Sequence, residues 1–140
     1  MPTQKTSREL LLAAFNSHEP DEVERCVSTA HLTSECVPVL AQLLEEDWHF
    51  RHEDIARSLQ ALKDPVAIEA LFRTAQRKFP YLDYDDSTAL ARKCIWALAD
   101  IGSPALEKLE ILGKSADAEV AAYALERLEH WNDELHRKGH

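Results

Sequence analysis

With 140 residues, the chain has the length of one domain and enough material for a sizeable core. Hydrophobic residues make up 45%, which excludes a disordered polymer, and no apolar run approaches the roughly 20 residues of a membrane span. The 25 acidic against 16 basic side chains leave a net charge of −9, a sign that repels phosphate backbones, disfavours nucleic acid and favours a basic protein partner.

Ala, Leu and Glu dominate and Gly numbers only 3, so the intrinsic preference is helical. Apolar periodicity and breaker residues divide the chain into about eight helices. Ser7 is expected to cap the first, whose inward face is Leu10, Leu11, Ala14 and Phe15. Pro20-Asp21-Glu22 opens the second, with acids facing the positive helix end and Val23, Cys26, Val27 and Ala30 as its buried stripe. Thr33 or Ser34 caps the third, which runs through Val37, Leu40, Leu43 and Leu44 and tolerates Pro38 near its start. After Glu45-Glu46-Asp47 a fourth helix carries Ile55, Leu59 and Leu62. Asp64-Pro65 turns into a fifth with Ile68, Leu71 and Phe72. The longest loop is Phe79-Pro80-Tyr81-Leu82-Asp83-Tyr84-Asp85-Asp86. Asp86 or Ser87 then caps the sixth helix, where Leu90, Cys94, Ile95, Leu98 and Ile101 pack inward. Gly102-Ser103-Pro104 stops it and starts the seventh, driven by Leu106, Leu109 and Leu112. Asp117 starts the eighth, with Val120, Ala121, Ala124, Leu125 and Leu128 inward and a polar end from Trp131 that is expected to fray.

Leu62-Lys63-Asp64-Pro65-Val66-Ala67-Ile68-Glu69-Ala70-Leu71 closes one helix and opens the next, and Leu98-Ala99-Asp100-Ile101-Gly102-Ser103-Pro104-Ala105-Leu106 nearly repeats it. Leu62 and Leu98 stand 36 residues apart, a period of stacked helical hairpins. Ile55, Leu59, Ala61 and Leu62 match Ala91, Ile95, Ala97 and Leu98, and small Ala at matching positions lets neighbouring helices approach. The expected architecture is therefore an all-α, right-handed α-solenoid of about four hairpins. Residues 1–32 form an atypical N-terminal helical cap, 33–64, 65–102 and 103–131 the repeats, and 132–140 a polar tail. A plain up-down bundle is the alternative, and the repeated proline turns argue against it.

Cys26, Cys36 and Cys94 each fall in an apolar helical pattern, and an odd count without close spacing fits neither a disulfide framework nor a zinc site. Reduced core cysteines suit the cytosol. Met1-Pro2-Thr3-Gln4-Lys5 is not followed by a signal-peptide core, since the apolar stretch Leu10 to Phe15 is short. A cytoplasmic location is expected.

The Leu62–Leu71 turn and the helix Ala89-Leu90-Ala91-Arg92-Lys93-Cys94-Ile95-Trp96-Ala97-Leu98-Ala99-Asp100-Ile101-Gly102 resemble the short bacterial HEAT-like repeats first named for phycobilisome lyases. The resemblance runs from Glu35 to Leu128 and implies an array of helical hairpins of the kind that serves as scaffold, inhibitor or occasionally enzyme. Trp48-His49-Phe50-Arg51-His52-Glu53, with Tyr84-Asp85-Asp86 before Ala89-Leu90-Ala91-Arg92-Lys93, is similar to small acidic HEAT-like immunity proteins of bacterial polymorphic toxin systems. That implies a protein which binds a cognate toxin domain and blocks it. Arg51-His52-Glu53 also resembles the His-Glu pairs of deoxyhypusine hydroxylase, a HEAT-repeat enzyme in which they hold a di-iron centre. His and carboxylate suit iron, but only His52-Glu53 falls on a repeat helix here. His18-Glu19 reads as loop, and the next repeat offers Leu90-Ala91. The ligand set is incomplete, so no metal or cofactor is expected. Glu53 reads as a helix-start acid with His52 as a surface neighbour.

His49 and His52 are three apart and flank that helix start, while Trp48 and Phe50 are expected to tuck the corner into the core. No Ser/His/Asp set, glycine-rich phosphate loop or CxxC is present, so no catalytic residue is assigned and a non-enzymatic role is expected. Arg57, Gln60, Arg92, Lys93 and Trp96 would line the inner curve of an array, with Arg92 and Lys93 solvated or paired with acids across repeats.

The corners within each hairpin would line up along one edge: Glu45, Glu46 and Asp47, then Asp83, Asp85 and Asp86, then Asp117 and Glu119. Such a row would set up a strong negative field, to which Tyr81 and Tyr84 add rigid amphipathic contacts. Helix capping, contributing ~0.3–1 kcal/mol each, accounts for Asp86 and Asp117 but not for Glu45, Glu46 or Asp83. These residues are the expected partner-binding set, for a basic protein such as a toxin domain, the chain itself being a monomer outside that complex. A HEAT-like scaffold, chaperone or lyase-related module and a metal-dependent hydroxylase are the alternatives. A HEAT-like DNA glycosylase would need a cationic groove, against the sign of the net charge.

Overall fold

The computed structural model describes residues 6–29 and 32–138, with side chains to Trp131 apart from Thr29. Within them all regular structure is helical. The α-helices are α1 (Ser7–Ser17), α2 (Pro20–Thr29), α3 (Val37–Leu44), α4 (His52–Leu62), α5 (Ile68–Thr74), α6 (Thr88–Ile101), α7 (Leu106–Leu112) and α8 (Ala118–Lys138). Short 3-10 turns at Ser34–Cys36, Pro65–Ala67 and Ser103–Ala105 lead straight into α3, α5 and α7, and another, Pro80–Asp85, precedes α6.

The three passages from 3-10 turn to α-helix are copies of one unit. Cys36, Ala67 and Ala105 end the turns, Leu40, Leu71 and Leu109 follow four residues later, and all six are fully buried. Three residues further stand Leu43, Thr74 and Leu112, buried as well. In the second and third copies a proline occupies the first turn, where its missing N–H leaves nothing unsatisfied. The preceding helix is closed each time by a residue of positive φ, Lys63 (56°) or Gly102 (99°), whose N–H bonds the carbonyl of Leu59 or Leu98. The helix ends Lys63 and Gly102 therefore correspond 39 residues apart rather than 36, and the 3-10 turns that follow, ending at Ala67 and Ala105, correspond 38 apart. The difference arises because α6 continues three residues past Leu98, whereas α4 ends at Leu62.

Helices α1, α3, α5 and α7 touch in succession, and α4, α6 and α8 do the same. Each odd helix also packs on the even helix that follows it, and the α4–α6 contact is the most extensive. Buried residues from Leu11 to Ala124 make one continuous apolar cluster, in which each fully buried Leu or Ile contributes roughly 1.5–3 kcal/mol. Cys26, Cys36 and Cys94 are buried free thiols within it, and burial pushes the Cys94 thiol far up.

Several local expectations are corrected. Thr6, not Ser7, is the first N-cap, in a reciprocal capping box with Glu9. Leu10 is exposed because Leu11 and Ala14 take the inward stripe of α1, and Leu125 is exposed because Val120 and Ala124 fix the inward face of α8. Ala61 is exposed although its counterpart Ala97 is fully buried. Helix α8 runs from Ala118 through Lys138. Ala30 and residues 139–140 lie outside the described residues. Among the described residues no helix is long and apolar enough to cross a membrane.

Candidate partner-binding edge

Helix α3 ends at Leu44, leaving its last carbonyls without intrahelical donors. Two histidines serve that corner. His49 Nε2–H donates to the Leu43 carbonyl (2.6 Å), while its Nδ1 accepts from the Arg51 backbone N–H (3.1 Å). His52 Nε2–H donates to the Glu46 carbonyl. Its Nδ1 accepts from the Tyr81 hydroxyl, whose oxygen in turn accepts from the His52 backbone N–H (3.3 Å). The two imidazoles stack with centroids 4.2 Å apart, Phe79 lies 4.0 Å beyond His52, and Trp48 joins the pile from the side of His18.

Both rings are fully buried. Burial lowers the His49 pKa and pushes that of His52 down to about 4, with the neighbouring His49 and Arg77 adding to the effect on His52 and Asp47 opposing it. The hydrogen-bond partners assign each neutral ring its proton on Nε2. Burial likewise pushes the Tyr81 hydroxyl up to about 12.

The reading of His52 as a surface neighbour of Glu53 is thereby corrected: the ring is inside because the Glu46 carbonyl needs its donor. Phe50 is also corrected. It is 57% exposed and meets Tyr81 edge-on at 5.2 Å instead of entering the core, whereas Trp48 is half-buried. All four ring nitrogens of His49 and His52 are engaged in these hydrogen bonds. Among the described residues no group of three His, Cys, Asp or Glu is placed to hold a metal ion.

Most of the acidic set is occupied internally. Glu45 receives Arg73 through both carboxylate oxygens (2.5 and 3.0 Å), and its carbonyl accepts from Arg77. The Arg73 hydrogen bond holds the Glu45 carboxyl below the usual range. Glu46 lends only its backbone carbonyl, to His52, and its carboxylate has no hydrogen-bond or ion-pair partner among the described residues. Asp85 Oδ2 accepts from the Ala89 N–H (3.1 Å) and so caps α6. Ser87, one of the two residues expected there, holds the N-cap position of α6, but its hydroxyl accepts from the Phe79 N–H (2.9 Å) and not from the helix.

Asp86 binds Lys78 Nζ at 3.1 Å, and the same ammonium reaches Asp117 at 3.1 Å. Asp117 also caps α8 through the Glu119 and Val120 amides. Hydrogen bonds from Lys78 and those amides keep its carboxyl well below the usual range. Glu119 accepts from the Thr88 hydroxyl (2.8 Å). Lys78 and Thr88 thus bring the start of α8 to the loop before α6, and Arg73 brings α5 to the α3–α4 corner. These carboxylates are fasteners between elements, not a free row.

What faces solvent is smaller and more mixed. Asp47 and Asp83 are exposed, and their carboxylates have no hydrogen-bond or ion-pair partner among the described residues. Tyr84 is 77% exposed, and the carboxylates of Glu53 and Asp85 raise its hydroxyl pKa. Tyr81 is half-buried between Phe50 and His52. An open cleft of about 340 Å³ is lined by Lys78, Phe79, Pro80, Asp83, Asp86 and Ser87. The arrangement offers aromatic faces and unneutralised carboxylates, with no nucleophile–base pair beside them.

Sequence reasoning noted His49 and His52 but not their burial or their carbonyl partners, and it missed the cations Arg73, Arg77 and Lys78 that neutralise acids of the corners. Arg73 stands in the last turn of α5 and Arg77 lies three residues past its end at Thr74, so no helical spacing in the sequence signals them. No protein-family model, curated protein or solved structure matches this chain.

Proposed function

We propose that this chain is a non-enzymatic protein-binding module: a single-domain, right-handed, HEAT-like α-solenoid of four hairpins that docks a basic protein partner along its α3–α4 corner and 80–86 loop. The threefold recurrence of the buried 3-10-to-α unit and the successive contacts within each row of helices support the array. The observation that carries the binding role is the pair Phe50 and Tyr84, both more than half exposed, with Asp47 and Asp83 exposed and left without a cation among the described residues. Rigid aromatics near unpaired acids suit Arg and Lys side chains, through cation–π contact and charge-assisted hydrogen bonds. In its most concrete form the chain is a cytoplasmic immunity protein, monomeric until it covers the basic face of a bacterial toxin domain.

The test is capture from extract of the source cells with the intact chain and with Asp83→Lys/Tyr84→Ala. Asp85 and Asp86 are left alone because they hold the fold. The wild-type chain is expected to retain a basic protein that is toxic when expressed alone and harmless when co-expressed. The variant should associate with it at least about tenfold more slowly and with a weaker salt dependence. Capture of an acidic protein, or an association rate indifferent to both substitutions, would overturn the proposal.

A further inference from the structure

The cleft of about 340 Å³ before α6 stands at the small end of the roughly 300–1,000 Å³ range of ligand sites, with space for one long side chain and the backbone that carries it. Its walls are Lys78, Phe79, Pro80, Asp83, Asp86 and Ser87. The charges among them are not equivalent. An ammonium has three protons to donate, and Lys78 spends them on the Asp86 carbonyl (3.0 Å), Asp86 Oδ2 (3.1 Å) and Asp117 Oδ2 (3.1 Å). This cation therefore has no donor left for an incoming anion. It also stands between two carboxylates, so the trio as a whole remains negative.

Asp83 is the opposite case. It is exposed, and no hydrogen bond or ion pair engages its carboxylate among the described residues, so every acceptor position on it is open. Pro80 is exposed in the same wall and offers an apolar surface. Phe79 is 3% exposed and already carries the Arg77 guanidinium over its ring at 4.8 Å, so it adds apolar contact and not a second seat for a cation. The charge the cleft is built to receive is positive.

Ser87 adds a demand of a different kind. It is 2% exposed, its oxygen accepts from the Phe79 N–H, and its own proton has no acceptor among the described residues. A buried hydroxyl proton left unspent calls for an acceptor from whatever fills the cleft. A metal ion has none to offer, whereas a peptide brings one carbonyl per residue.

We propose that this cleft seats one lysine or arginine residue of the docked partner, with the cation on Asp83, the methylene stem along Pro80 and a main-chain carbonyl on the Ser87 hydroxyl. This anchor rests on the reading of the edge as a docking surface and narrows it to a single side chain of the partner. The intact chain is titrated with N-acetyl-lysine methylamide and N-acetyl-arginine methylamide, each to about 100 mM, because one exposed ion pair supports only millimolar affinity. The norleucine and glutamate equivalents serve as uncharged and anionic controls, and the amide signals of residues 78–87 are followed by 15N NMR at fixed ionic strength. Saturable shifts in that segment are expected with one or both cations, and the tighter of the two names the partner's side chain. Norleucine and glutamate should not saturate. Asp83→Asn, which breaks no side-chain contact, should keep the wild-type melting temperature and weaken the cation at least about fivefold, while Glu107→Gln on α7 leaves it unchanged.

No saturation with either cation, norleucine binding as well as lysine, or an Asp83→Asn chain that binds like the wild type would each remove the anchor. The capture experiment fails separately. A basic partner captured by a chain whose cleft ignores both probes leaves the docking reading and removes the anchor, and a cleft that saturates in a chain capturing no basic protein does the reverse.

Discussion

The buried histidine pair makes a quantitative statement about acid. His52 has a pKa of about 4 when folded and an ordinary value of 6.5 when unfolded, so between those values the unfolded chain binds the extra proton. The stabilisation it provides is complete above pH 6.5 and is lost as the pH falls toward 4. At 1.36 kcal/mol per unit, moving from pH 7.5 to pH 5 removes about 2 kcal/mol through His52 alone. His49, shifted in the same direction, adds to the loss. For a chain of this size about 2 kcal/mol corresponds to roughly 8 °C in melting temperature.

The window from pH 7.5 to 5 isolates the effect, because Glu45 and Asp117, whose pKa values are also lowered, lose their contributions only near and below their ordinary values of 4.5 and 3.8. Urea denaturation followed by circular dichroism, repeated across that range, measures it. His52→Phe supplies the control: it keeps a ring against Phe79 and gives up the titrating nitrogen. The variant should start less stable at pH 7.5 and then lose about 2 kcal/mol less than the wild type on acidification. A wild-type chain equally stable at pH 7.5 and 5, or a variant with the same pH slope, would refute the reasoning.

Two further outcomes follow from single positions. Thr74 occupies the place held by Leu43 and Leu112 in the other copies of the unit, fully buried and with its hydroxyl unpartnered. Thr74→Val should therefore raise stability by about 1 kcal/mol, read as a higher urea midpoint at unchanged slope. Gly102 has φ 99° and ψ −147°, and an added Cβ would meet Trp131 only at 3.6 Å. Gly102→Ala should thus cost about 1–3 kcal/mol through the backbone and not through a clash, with a lowered melting temperature as the measure.

Helices, their order and most of their inward faces were legible because 3.6-residue periodicity and proline or glycine breaks are local signals. The unit shared by α3, α5 and α7 was only half legible: the Leu62 and Leu98 match suggested a period of 36, and the extra turn of α6 hid the true correspondence of Lys63 with Gly102 and of Ala67 with Ala105. The acidic edge was legible as composition and misleading as chemistry. A free carboxylate and a paired one look alike in sequence, and Glu45 meets Arg73 across 28 residues and Asp117 meets Lys78 across 39. The role of the histidines was hidden for the same reason, since His52 is explained by a tyrosine 29 residues away and by a carbonyl that carries no side-chain signature.

Helices α3, α5 and α7 have 8, 7 and 7 residues, some two turns each. Segments that short do not hold together in water by themselves, because nucleation consumes most of what two turns of hydrogen bonds return. Each must borrow its order from the neighbours stacked on either side. Fraying at one end of the row would therefore spread inward from segment to segment, and a fragment cut from the middle should be unable to fold without them.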